Sequence, residues 1–122
     1  MKKLAAGLLS FRVAYGAGLL FAPGKVAGNR WLGPGARRPA ATVALRGLGA
    51  REVALHGIAL AALSRGAPLR PWLAASIAGD LADVVATFAS RGGLPPGSPA
   101  ATAAVAGGSA ALTAAVAAGL DA

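Results

Sequence analysis

Glu52, Asp80 and Asp83 are three of the four acidic residues in this 122-residue chain, and all three stand inside long apolar runs. Arg12, Arg46, Arg51 and His56 are set into such runs as well. On a helix turning about 100° per residue, Glu52 and His56 lie one turn apart and share a face. Arg46 falls on an adjoining arc, so Arg46, Glu52 and His56 are expected to look into a helix bundle. Arg51 projects about 100° away from Glu52. Asp80 and Asp83, at i and i+3, also share a face, and Arg12 has Tyr15 and Gly16 on its own side. Two carboxylates one turn apart disfavour simultaneous ionisation, the arrangement that general acid–base chemistry needs. In that reading Asp80 or Asp83 is the acid or base, Glu52 and His56 form the relay, and Arg46 is the electrostatic stabiliser.

A plainer reading uses the same residues. Polar groups between apolar helices act as glue that fixes register, and Arg12 and Arg51 reach headgroups by snorkelling. An unpaired charge at the centre of a bilayer costs at least ~2.5–3.5 kcal/mol. Arg12, Arg46 and Arg51 are therefore expected to meet Glu52, Asp80 and Asp83 across helices.

The elements that must position these groups follow from the prolines. The eight prolines punctuate the chain in three breaks, and proline interrupts a helix interior. Four helices are predicted at about 4–22, 40–64, 71–90 and 100–120, in one domain over 1–122. Each is near the roughly 20 residues that span a hydrocarbon core. A bundle in water requires a polar face on every helix. The fourth run has no charged side chain and offers only Thr102, Ser109 and Thr113. The predicted fold is all-α, a four-helix transmembrane bundle, with Ala14-xxx-Gly18, Gly57-xxx-Ala61 and Ala75-xxx-Gly79 as close-packing pairs. The first run imitates a secretory signal, but Arg12 interrupts it and no A-x-A site follows, so it is read as a retained helix. Trp31 in the first linker and Trp72 at the start of the third helix read as interface anchors.

Composition narrows the function classes. The chain is 56% apolar and 13% charged, with a formal charge of +8. Its basic residues are scattered among the breaks rather than gathered on one polar face. Anionic headgroups of the lipid bilayer are therefore the expected partner, and nucleic acid is not. Without cysteine and with one histidine, thiolate and multi-histidine metal sites are excluded. No metal or other cofactor is expected. No phosphate loop or nucleophile elbow is present. Basic residues nearly balance on the two sides, so orientation is undetermined.

The stretches RGLGAREVALHG (46–57) and GDLADV (79–84) resemble a family of small four-helix membrane proteins abundant in actinobacteria and catalogued as a domain of unknown function. In that family an Arg-x-x-Gly-Ala-Arg-Asp/Glu stretch on helix two and acidic residues on helix three recur. Arg46, Gly49, Ala50, Arg51, Glu52, Asp80 and Asp83 are the matching positions. The resemblance implies the fold and the placement of the cluster only, and brings no activity with it. The excess of Ala, Gly and Arg over Lys suits a GC-rich bacterial genome, so a bacterial cell membrane is the expected location.

Three functions stay open. The first is a small multi-pass membrane protein whose Arg/Asp/Glu cluster lines a pocket for a lipophilic small molecule, with Arg12, Tyr15, Arg46 and Arg51 contributing to binding. The second is a membrane enzyme isomerising, cyclising or opening an epoxide on a lipophilic substrate, through Asp80, Asp83, Glu52 and His56. The third is a structural accessory subunit. Self-association into a homo-oligomer suits so thin a bundle, although no motif specifies it.

Overall fold

The computed structural model describes residues 1–29 and 31–121. Helix α1 spans Lys2–Phe21, and a short α2 follows at Pro23–Ala27. A 3₁₀ turn at Gly33–Arg37 leads into α3, Pro39–Ser64, of 26 residues. Helix α4 is Arg70–Ala89, and a second 3₁₀ turn covers Arg91–Gly93. The last helical stretch is α5, Ser98–Thr102, then a π-helical turn at Ala103–Gly107, then α6, Gly108–Asp121. Every element among the described residues is helical, with no strand.

Prolines explain where the helices begin. Pro23, Pro39, Pro71 and Pro99 each stand in the first two positions of their helix. There the missing N–H is one the helix cannot satisfy internally, and the fixed φ suits the first turn. The starts predicted at 40, 71 and 100 therefore move one or two residues earlier, to Pro39, Arg70 and Ser98. The interruption at Ala103–Gly107 was not expected from an Ala-rich run without proline.

Among the described residues, three helices are long and apolar enough to cross a membrane: Lys2–Phe21, Arg70–Ala89 and Ser98–Leu120, with mean hydropathies of 1.6, 1.4 and 1.6. They are compatible with an integral membrane protein. Helix α3, which carries Arg46, Arg51 and Glu52, is not among them.

Polarity is distributed inside out. Phe11, Phe21, Val43, Val85 and Val105 are exposed, whereas Arg12, Glu52, His56, Ser76, Asp80 and Thr87 are buried. Two apolar layers flank these polar groups along the helices. One contains Leu9, Ala59, Leu69 and Leu73, with Trp72 against it. The other contains Leu19, Ala27, Ala36 and Leu45, with Tyr15 and Trp31 against it. Along α1, Arg12 lies between Leu9 and Leu19; along α3, Glu52 and His56 lie between Leu45 and Ala59.

Helix α1 runs along α3 as the most extensive pairing in the molecule, and α4 packs against the α5–α6 stretch. The α1–α3 crossing is a backbone-to-backbone contact at Gly16 and Gly49. A Cβ on Gly16 would stand 2.7 Å from Glu52 Cβ and 2.8 Å from the Gly49 carbonyl oxygen. A Cβ on Gly49 would stand 2.5 Å from the Gly16 oxygen. The expected small-residue pairs do not make this approach. Gly57 and Gly79 have open space where a Cβ would go, and Gly18 meets only Val26. Close approach is decided by which glycines face each other, and here these are the neighbours of the buried charges.

Candidate functional site

Arg12 is the centre of the buried ion cluster. Its Nε and Nη2 donate to Glu52 Oε2 and Oε1 at 3.0 and 3.1 Å. Its Nη1 and Nη2 donate to Asp80 Oδ2 and Oδ1 at 2.8 and 2.7 Å. One planar guanidinium thus makes two bidentate forks, joining α1 to α3 and to α4 at once. The approach at Gly16 and Gly49 brings the two backbones close enough for that reach. Arg12 is 5% exposed and Asp80 4%, so the pairs are shielded from solvent, where breaking one is costly.

His56 extends the cluster. Its Nδ1 lies 2.8 Å from the Glu52 carbonyl oxygen and 3.2 Å from Glu52 Oε2. Both of those oxygens accept, so Nδ1 carries a proton. On the other side Nε2 lies 2.8 Å from Ser76 Oγ; in the neutral ring, Nε2 accepts from the Ser76 hydroxyl. Ser76, His56 and Glu52 therefore stand in the atom order of a nucleophile, its base and the base's orienting carboxylate. Access is what they lack. Ser76 is 2% exposed and His56 1%, and neither lines either of the two cavities described here. The trio serves as a packed polar connection between α3 and α4. Ser76 is a residue of this connection that its type and its neighbours in the chain do not single out. Its signal was register: Leu73, Ser76, Asp80 and Thr87 form the buried stripe of α4, and Ser76 sits one turn before Asp80.

Asp83 is different. It lies on α4 less than one turn beyond Asp80, yet among the described residues no hydrogen-bond or ion-pair partner reaches its carboxylate. It lines a cavity of about 470 Å³ together with Tyr15, Val26, Trp31, Thr102 and Val105. That volume lies within the usual range for small-molecule sites, roughly 300–1,000 Å³. The π-helical turn at Ala103–Gly107 supplies part of the wall through Ala104, Val105 and Ala106; such turns recur at functional sites. Thr102 is buried, and its hydroxyl is an orphan with no hydrogen-bond partner among the described residues.

Trp31 closes the cavity from the first linker. Its Nε1 donates to Thr87 Oγ1 at 3.1 Å, and the Ser98 hydroxyl donates to its backbone carbonyl. Trp31, read from the sequence as an interface anchor, is pinned by these two bonds against α4 and α5. A second cavity, of about 310 Å³, lies at the opposite end of the molecule between Leu63, Leu69, Leu73 and Leu120, with Lys2 and Arg70 on its lining.

Two expected members are missing from the cluster. Arg46 and Arg51 are exposed on α3, and no ion pair involving either is found among the described residues. The buried stripe of α3 is Leu45, Gly49, Glu52, His56 and Ala59. Arg51 is about 100° and Arg46 about 120° from Glu52 around the helix, so both turn away from the interior. Arg12 alone meets both acids, and the expected three-to-three pairing becomes one arginine against two carboxylates. Among the described residues, no three His, Asp or Glu side chains converge to hold a metal ion.

The molecule is thus an all-helical protein with three membrane-compatible helices and a buried Arg–Glu–Asp cluster. Comparison with protein-family models, curated proteins and solved structures gives no match to this chain in any of the three.

Proposed function

We propose that the chain is a four-helix transmembrane bundle of the bacterial cell membrane, of the small actinobacterial kind its motifs resemble, whose cavity beside Asp83 takes a lipophilic ligand. Helix α3 is the fourth span in this reading, and its buried charges are matched by Arg12. Support for the bilayer comes from the exposed Phe11, Phe21, Val85 and Val105 around a polar interior. In water, apolar area of that extent calls for a partner surface.

The observation that carries the ligand reading is the partnerless Asp83 carboxylate on a cavity walled by Tyr15, Trp31 and valines. Ligand sites of this kind are mostly apolar, with a few polar groups fixing orientation. The Arg12–Glu52–Asp80 cluster does not itself line the cavity; it holds α1, α3 and α4 in the arrangement that leaves Asp83 open. An acid–base enzyme on the same scaffold would work through Asp83, because Glu52 and Asp80 are already committed to Arg12.

The test is saturable binding of a neutral lipophilic probe, triphenylphosphine oxide, to protein in phosphatidylcholine nanodiscs. It is read from Trp31 fluorescence in a Trp72→Phe background. Binding is expected in that protein and lost when Ala101→Phe fills the cavity wall. A linear, non-saturating response identical in both proteins removes the ligand reading.

A further inference from the structure

Among the described residues, the polar centre of the bundle and the cavity beside it hold more negative than positive charge. There three carboxylates, the buried Glu52 and Asp80 and the half-buried Asp83, meet one buried guanidinium, that of Arg12. The remaining arginines of α3 turn outward. Protonation of His56 offsets one further charge and still leaves one carboxylate without a counter-charge. That carboxylate is Asp83, because Arg12 is already forked onto the other two.

A carboxylate in so apolar a place is neutralised by a proton or by a cation. The surroundings favour a cation brought by the ligand. Tyr15 and Trp31 line the same cavity and provide the aromatic area by which organic cations are recognised. Val26 and Val105 give apolar walls, which suit the body of such a molecule and disfavour a hydrated metal ion. The orphan hydroxyl of Thr102, buried on the same lining, is a second polar group without a partner. It can accept an ammonium N–H or donate to a ligand oxygen.

Resting on the reading of this cavity as a ligand site, we propose that its ligand is a lipophilic organic cation, an amine or onium compound, whose positive charge pairs with Asp83. The acyl or aryl body lies against Tyr15, Trp31 and the valines. Thr102 hydrogen-bonds the headgroup where the ligand carries an N–H.

Three probes test this: tetraphenylphosphonium and tetraphenylborate, of one shape and opposite charge, and the smaller neutral triphenylphosphine oxide. Each is titrated into the full chain in phosphatidylcholine nanodiscs, with Trp31 fluorescence in the Trp72→Phe background as readout and empty nanodiscs subtracted. Tetraphenylphosphonium is expected to bind more tightly than the neutral probe by on the order of ten-fold, and tetraphenylborate to give no saturable signal. Asp83→Asn is expected to remove the preference for the cation while neutral binding persists. Since Asp83 has no partner to lose among the described residues, this variant should keep its helicity and an unfolding midpoint no lower than the native one. Asp83→Glu, which keeps the charge, should retain the cation preference and guards against a folding artefact. Equal binding of cation and neutral probe, unchanged by Asp83→Asn, overturns the cation assignment and leaves the pocket standing. No saturable binding of any probe overturns both.

Discussion

Replacing Arg12 by methionine separates the two roles that the buried carboxylates play. In the native protein the guanidinium makes four hydrogen bonds, at 2.7–3.1 Å, to Glu52 and Asp80. Arg12→Met keeps much of the apolar volume and removes all four, leaving two like charges buried side by side. Removing one partner of a single buried pair costs about 3–5 kcal/mol. Here two carboxylates lose the same partner, so the loss lies at or above the upper end of that range. Set against a total stability of about 5–15 kcal/mol for a typical domain, the variant is expected to lose a third or more of its stability. Arg12→Lys keeps the charge but not the fork, and an ammonium cannot hold both carboxylates bidentately; about 1–3 kcal/mol is expected to be lost. Adding Asp80→Asn to Arg12→Met removes one orphaned charge. It should recover part of the deficit, a coupling of about 1–3 kcal/mol in a double-mutant cycle. The assay is unfolding in mixed micelles by titration with sodium dodecyl sulfate, followed by far-ultraviolet circular dichroism. Asp83→Asn is the internal control, expected to be neutral or stabilising, because it removes a carboxylate without a partner among the described residues. An Arg12→Met midpoint coincident with the native one would refute the assignment of Arg12 as the tie between α1, α3 and α4.

The same assay addresses two further expectations. Gly49→Ala places a methyl against the backbone of α1, where the nearest atoms are the Gly16 oxygen at 2.5 Å and the Leu20 nitrogen at 2.7 Å. Backbone does not yield cheaply, so a loss of about 1–3 kcal/mol is expected. Gly57→Ala on the same helix meets open space and should be neutral or gain up to about 1 kcal/mol from helix propensity; equal effects at the two positions would contradict the crossing. Thr102→Val removes a buried hydroxyl that has no partner, so without ligand it is expected to be neutral or stabilising by about 1 kcal/mol. A loss of that size would mean that the hydroxyl has a protein partner.

Much of the architecture is legible in the chain because proline and hydropathy act locally. Pro39, Pro71 and Pro99 mark helix starts wherever the rest of the molecule lies, and the unbroken apolar runs fix three membrane-length helices. That Glu52, His56 and Asp80 share buried faces also follows from the helical repeat alone. The sequence alone singled out Arg12, Glu52, His56, Asp80 and Asp83 as ionisable groups inside apolar runs, where they are costly unless they find partners.

Which partner each one found is a tertiary matter. Arg12, Arg46 and Arg51 are equivalent by type, but the rotation of α3 set by Gly49 against Gly16 turns Arg46 and Arg51 outward and leaves Arg12 to both acids. Asp80 and Asp83 are neighbours on one face, yet the reach of a single guanidinium ends at Asp80. Asp83 is left on a cavity whose other walls come from Trp31 and the turn at Ala103–Gly107, segments far from it along the chain. Helical periodicity assigns a side chain to a face; only the packing of helices and linker, which brings distant segments together, decides what that face meets.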